Sequence, residues 1–177
     1  MTAGRRVVFL DRDGVLTVPD ERDGKGYAVR RLDALRFYPD AASSVARLRA
    51  AGFDVVVVTN QPDVAHGLMD AGTLEAIHAQ VTEVTGVTRI RTCPHSRDDD
   101  CTCRKPRAGL LMDEADAGPV DFAASWMVGD RASDIAAGRA VGARTVFIDR
   151  GWTGETGEGA HAVVATLGQG VDTILSP

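Results

Sequence analysis

Four polar clusters in this chain combine residue types and spacings that suit one kind of chemistry. Asp11-Arg12-Asp13-Gly14 sets two carboxylates two residues apart, so in extended backbone both side chains point the same way. Thr59-Asn60-Gln61 offers a hydroxyl and two amides, and Arg104-Lys105-Pro106 offers two adjacent cations. Gly129-Asp130-Arg131 adds a further carboxylate, with Asp134 one helical turn on. Phosphoryl transfer from a monoester needs a nucleophile, positive charge against the oxygens, donors around the transferred group and an acid for the leaving alcohol. Asp11 suits the nucleophile, because a carboxylate can form an aspartyl-phosphate. Asp13 suits a group that protonates the leaving oxygen and then takes a proton from water. Carboxylates of Asp11 and Asp130, with a backbone carbonyl, suit Mg²⁺, which favours hard oxygen ligands. Thr59 and Lys105 would bring a hydroxyl and a positive charge to the phosphoryl oxygens. Each cluster alone is ordinary loop chemistry, since Asp, Asn, Thr and Gly are common turn residues. Their conjunction carries the reading.

A fifth cluster has another purpose. The three cysteines of the chain lie in Cys93-Pro94-His95, five intervening residues, and Cys101-Thr102-Cys103. An odd, tightly spaced set suggests a metal rather than disulfides. Three thiolates and one imidazole make a closed tetrahedral Zn²⁺ site of the structural kind. Arg104 and Lys105 follow Cys103 directly, so a zinc loop over 93–103 would fix the entry of two cations through geometry.

These residues need a scaffold. Short β-branched or apolar runs at Val7–Leu10, Val55–Val58, Trp126–Val128, Thr145–Ile148 and Ala162–Val164 read as strands covered on both faces, as in a parallel sheet. Between them, helix patterns run over Ala41–Ala51, Leu74–Val84 and Ile135–Val141, each followed by glycine within two residues. The segments Asp20–Arg31 and Pro94–Ala108 read as loops. Strand and helix in alternation predict an α/β sandwich with right-handed crossovers. Ligands then bind outside the carboxyl ends of the strands, where the polar clusters fall.

The chain has 177 residues, 44% apolar and 25% charged, which suits one domain over 1–177 with an ordinary core. The net charge of −5 argues against a nucleic-acid surface. No apolar run approaches the roughly 20 residues that span a bilayer. The stretch Met1–Arg6 followed by four apolar residues is no signal peptide. A cytoplasmic location and a monomer are the expectations.

The four motifs, in this order, resemble those of the haloacid dehalogenase superfamily of phosphatases over Val7 to about Arg150. The resemblance implies a three-layer Rossmann-like fold with no large cap domain. It implies Asp11 as nucleophile, Asp13 as general acid/base, and Thr59 and Lys105 as phosphoryl anchors. Asp11, the Asp13 backbone carbonyl and Asp130 would hold Mg²⁺, with Asp134 orienting water or Lys105. Cys-Pro-His, the later Cys-x-Cys-Arg-Lys-Pro, and Thr59-Asn60-Gln61 with Gly67 are similar to the D-glycero-D-manno-heptose 1,7-bisphosphate 7-phosphatases and the histidinol-phosphate phosphatases. That likeness implies substrate contacts for Arg104 and Asn60 and a first substrate loop around Gly26-Tyr27-Ala28. The chain departs from the pattern in Pro62–His66, where Ser-Gly and a later Arg are expected, and in Arg131, where Lys is usual.

The expected reaction is hydrolysis of a sugar bisphosphate at its terminal phosphate, with a place in carbohydrate metabolism. Histidinol phosphate or another small phosphate ester is the alternative. Arg104, Lys105 and Arg107, with few aromatics, favour the bisphosphate. A zinc-stapled phosphate sensor is a further alternative, against which the retention of Asp13 speaks, since a sensor needs no general acid.

Overall fold

A computed structural model describes residues 4–176. Residues 1–3, part of the N-terminal stretch read above, and residue 177 lie outside the described residues. In chain order the elements are β1 (Val7–Leu10), a hairpin of β2 (Asp20–Arg22) and β3 (Lys25–Tyr27), α1 (Ala41–Ala50) and β4 (Asp54–Asn60). Then come α2 (Ala71–Thr85), β5 (Arg89–Cys93), a one-turn α3 (Gly109–Met112), β6 (Trp126–Gly129) and α4 (Ala132–Ala140). β7 (Arg144–Ile148), β8 (Ala162–Val164) and α5 (Leu167–Leu175) complete the chain.

Six strands form one parallel sheet in the order β5-β4-β1-β6-β7-β8. Its two faces follow from strand alternation. Val7, Phe9, Val56, Val58 and Met127 pack on one side with Leu110 and Leu111 of α3 and Ala137 of α4. Val8, Leu10, Val55, Val57 and Val128 pack on the other with Val45 and Leu48 of α1 and Val171 and Ile174 of α5. The result is three layers, helix on sheet on helix, as expected from the continuous apolar runs.

The chain starts in the middle of the sheet, moves outward through β4 and β5, then returns to β6 beside β1 and runs outward the other way. The reversal between β1 and β6 is a topological switch point, and in a parallel sheet every following loop opens at the same end. The segment after β1 carries the small hairpin, and the loop after β4 covers residues 61–70. Among the described residues no helix is long and apolar enough to cross a membrane.

Several elements differ from expectation. β4 continues through Thr59 and Asn60, which pair with Thr92 and Cys93 of β5. α2 begins at Ala71 rather than Leu74, because Asp70 accepts the Thr73 N–H at 2.8 Å as an N-cap. α4 begins at Ala132, where Asp134 accepts the Arg131 N–H at 3.1 Å. The hairpin lies in a segment read as loop, and α5 was not expected. Neither was β5. Its Arg89 and Arg91 alternate outward and both reach the fully buried Glu114 at 3.3 Å, where Arg5 also binds at 3.0 Å. A strand made polar by ion pairs to distant residues carries no apolar run to read.

Candidate active site

The three strands at the switch point bring the carboxylates together. The Asp11 N–H donates to Val128 O of β6 at 2.9 Å, so the ladder itself sets the end of β1 against the end of β6. Carboxylate oxygens of Asp11, Asp130 and Asp134 lie within 4.8 Å of one another, and all three residues are buried. Gly14 makes this possible. It has φ +89°, and a Cβ there would stand 1.9 Å from Asp130 Oδ2, so a side chain is excluded. Lys105 Nζ lies 3.0 Å from Asp11 Oδ1 and 2.7 Å from Asp134 Oδ1, and donates to Val58 O at 2.7 Å. Asp134 gives one oxygen to Lys105 and the other to the Arg131 N–H.

Three buried carboxylates against one ammonium leave an excess of negative charge. Burial, with the charges of Asp134 and Asp13 added, pushes Asp11 up to about 7 against the pull of Lys105. Burial and then the charge of Asp11 hold Asp130 well above the usual carboxylate range. Burial alone would lower Lys105, but Asp11 and Asp134 outweigh it and raise it. Asp130 Oδ1 is buried with no hydrogen-bond partner, while Oδ2 accepts the Trp152 indole N–H at 2.6 Å. An orphaned carboxylate oxygen in a cluster of like charges fits a hard divalent cation.

Asp13 is held by donors from behind. The Arg12 guanidinium donates to it from Nε at 3.2 Å and Nη2 at 2.9 Å, Thr17 Oγ1 at 3.1 Å and Gln61 Nε2 at 2.8 Å. Arg12 and Gln61 are fully buried. Neither has a task among the expectations from sequence, although both stand inside motifs. A large charged side chain directly beside the motif carboxylate Asp13 is the signal. Gln61 Nε2 also donates to Thr59 Oγ1 at 2.8 Å.

Asp11, Asp13, Lys105 and Asp134 line one cavity together with Arg97, Arg104 and Arg131. Gly26, Tyr27 and Ala28 border it, where the first substrate loop was expected. Thr59 and Asp130 are buried beside these groups. Asn60 lines the cavity, but its side chain pairs with the Lys105 backbone, accepting from N at 3.1 Å and donating to O at 3.1 Å. It therefore holds the lysine loop. Arg104 Nη1 donates to His95 O at 3.2 Å, tying it to the cysteine cluster. Arg107 turns to Asp100 and the Cys101 carbonyl, so it is paired rather than free for a phosphate. Arg97, which stands outside the motifs, also lines the cavity. His66 is exposed and is not among the lining residues; Asp63 of the same loop is, and it pairs with Arg30 at 2.7 Å.

The thiols converge as their spacing suggested. Cys93 Sγ lies 3.6 Å from Cys101 Sγ and 3.5 Å from His95 Nδ1, and His95 Nδ1 lies 3.2 Å from Cys103 Sγ. All four ligand atoms lie within 4.8 Å of one another. Tetrahedral zinc with bonds of about 2.3 Å puts thiolates about 3.8 Å apart, so the cluster fits that ion. Cys93 ends β5, which is how a strand at the sheet edge fixes one corner.

Comparison with known proteins agrees with this geometry. Residues 102–169 match the HAD-hydrolase-like family model. The chain is 36% identical over 171 residues to a D-glycero-β-D-manno-heptose-1,7-bisphosphate 7-phosphatase of Pseudomonas aeruginosa, covering 94% of this chain and 90% of the relative. It is 37% identical over 137 residues to a D-glycero-α-D-manno-heptose-1,7-bisphosphate 7-phosphatase of Mycobacterium tuberculosis, covering 72% and 68%. The crystal structure of the D,D-heptose 1,7-bisphosphate phosphatase from Bordetella bronchiseptica, complexed with magnesium and phosphate, superposes with a TM-score of 0.80 at 33% identity over 96% of this chain and 98% of that one. With the fold, the order of its motifs and relatives that match nearly end to end all in agreement, this chain belongs to the haloacid dehalogenase (HAD) family of phosphatases.

Proposed function

We propose that this chain removes the 7-phosphate from a D-glycero-D-manno-heptose 1,7-bisphosphate in the cytoplasm, as a Mg²⁺-dependent monomer of carbohydrate metabolism. The observation that carries the substrate class is the shared cavity, in which Arg97 and Arg104 stand in the same lining as Asp11 and Lys105, while the Arg131 guanidinium is taken by Glu155 and Gly26 O. A phosphate at each end of one small molecule suits such a lining, and histidinol phosphate has a single phosphate. The names of the relatives support the same substrate class, with both anomers represented among them.

Asp11 attacks phosphorus in line, forming a P–O bond to its carboxylate as the P–O bond to the sugar breaks. Asp13 gives its proton to the departing sugar oxygen. It then takes a proton from water, which attacks the aspartyl-phosphate, releases inorganic phosphate and restores Asp11. Lys105 offsets charge on the transferred oxygens. Thr59 accepts from Gln61 and so keeps its own hydroxyl proton for the same group. Mg²⁺, held by Asp11, Asp130 and the Asp13 carbonyl, would supply positive charge against the phosphoryl oxygens. Zn²⁺ on Cys93, His95, Cys101 and Cys103 would stabilise the loop that delivers Arg104 and Lys105.

Phosphate release with Mg²⁺ from both heptose 1,7-bisphosphate anomers and from histidinol phosphate tests the reading. The expected result is a kcat/KM advantage of about a hundredfold for one bisphosphate, roughly 2.7 kcal/mol of transition-state discrimination. Similar slow rates on all three overturn the substrate and leave the phosphatase chemistry in place.

A further inference from the structure

We propose that Trp152 is a positioning residue for the magnesium-holding carboxylate Asp130, and that it joins this carboxylate to the hairpin bordering the substrate cavity. The inference rests on the Mg²⁺ reading above. It does not depend on which sugar is bound.

The indole N–H donates to Asp130 Oδ2 at 2.6 Å. Asp130 is buried, and its other oxygen, Oδ1, has no partner. The indole therefore divides the labour of the two oxygens. It fixes the plane of the carboxylate through one and leaves the other for a cation beside Asp11 and Asp134. Neither the Asp11 motif nor the Asp130 motif contains this donor. It comes from the loop after β7, on the far side of β6.

The same ring touches the hairpin. A Cβ at Gly26 would stand 2.9 Å from Trp152 Cζ2 and 2.8 Å from Pro19 Cγ, so the backbone of β3 packs against the indole with no space for a side chain. The neighbouring Thr153 N–H donates to Gly24 O in the hairpin turn at 2.8 Å. Arg131, next to Asp130, donates to Gly26 O from its guanidinium. Gly26 and Tyr27 border the cavity. Two residues bearing on the cation site, Trp152 and Arg131, thus both grip the hairpin at Gly26. A cation that draws Asp130 into its final orientation acts through the indole on the surface that meets the substrate.

Trp152→Phe keeps most of the ring and removes the N–H. Mg²⁺ binding to the full chain, measured by calorimetry without any phosphate ester, is expected to weaken by roughly tenfold or more. The wild type should also show a Mg²⁺-dependent change in tryptophan fluorescence that Trp152→Phe loses, because the remaining Trp126 is buried in the core. Should Trp152→Phe fail to fold, Gly26→Ala, which retains the indole but crowds it, is expected to show the same loss of affinity. Mg²⁺ affinity of wild-type strength in either folded variant overturns the proposal, since a ring with a merely structural role would leave cation affinity unmoved. A wild type that binds no Mg²⁺ overturns the metal-dependent reading itself, and this inference with it.

Discussion

At the scale of single residues, the proposed chemistry separates groups that react from groups that aim them. Asp11→Asn removes the proposed nucleophile while keeping the shape of the side chain, so turnover should vanish while the circular dichroism spectrum stays that of the wild type. Near-wild-type activity would remove Asp11 from its role. Asp13→Asn takes away the proposed proton donor and should lower kcat by about 10²–10⁴. Gln61 acts through Asp13 and Thr59, which it bonds at 2.8 Å each. Gln61→Leu should therefore lower kcat about ten- to a hundredfold with little change in KM, and a change confined to KM would contradict the assignment.

His78 is a residue the chemistry leaves aside. Burial, and then the charge of Arg12, lower its pKa to about 4, against an opposing pull from Asp13. Its Nε2 is buried with no partner. The unfolded chain takes up this proton below an ordinary histidine pKa of about 6.5, while the folded chain does so only near 4. Stability therefore falls as pH drops through that window, by about 1 kcal/mol between pH 7 and pH 5 once solvent screening of this part-exposed ring is allowed for. His78→Gln should remove that part of the acid sensitivity, as read by urea unfolding of both proteins at the two pH values. Equal losses in the two proteins would show that His78 is not responsible.

At the scale of elements, two loops are held by cross-links rather than by a core. The 94–108 segment has the thiol–imidazole cluster at its base, and Arg104 is tied to it through His95 O. Protein prepared without chelators should contain one zinc per chain. Its removal should open this segment to proteases and lower kcat/KM while the sheet's circular dichroism persists. Metal analysis that finds no zinc would end this account. The loop after β4 is tied to the segment after the hairpin by the part-exposed Arg30–Asp63 pair. Such a pair contributes at most about 1 kcal/mol, so Arg30→Ala should barely change stability. It should raise KM for the bisphosphate and leave p-nitrophenyl phosphate, which lacks the polyol, unaffected. Equal effects on both substrates would place the pair in the chemistry rather than in substrate fit.

At the scale of the whole molecule, the centre of the sheet stores like charges at its carboxyl end. Asp11, Asp130 and Asp134 repel one another, and a single buried Lys105 offsets part of that. The protein without Mg²⁺ should therefore be less stable than its Asp130→Asn variant, because breaking up buried like charges relieves strain. Mg²⁺ at a hundred times its Kd should stabilise the wild type by about 2.7 kcal/mol and the variant far less. Thermal melts of both proteins with and without Mg²⁺ read this directly, and identical shifts would refute a cation site at Asp130.

What the sequence determined by itself is the part written in local pattern. Val7–Leu10 and Val55–Val58 are continuous apolar runs, and a strand covered on both faces needs nothing more. The motif carboxylates sit at the ends of those runs, so their meeting at one edge follows from a parallel sheet. The thiol spacing already had the shape of a tetrahedral site. Tertiary structure alone decided the rest, because the partners are distant in the chain. β5 is a strand because Arg89 and Arg91 find Glu114, a contact that no window around Ile90 contains. Asn60 holds Lys105 across 45 residues. Gln61 reaches Asp13 across 48 residues once β1 and β4 pair, and Trp152 reaches Asp130 because β7 lies beside β6. Hydrophobic burial is legible one segment at a time. A buried polar group is specified by its partner, and the fold chooses the partner.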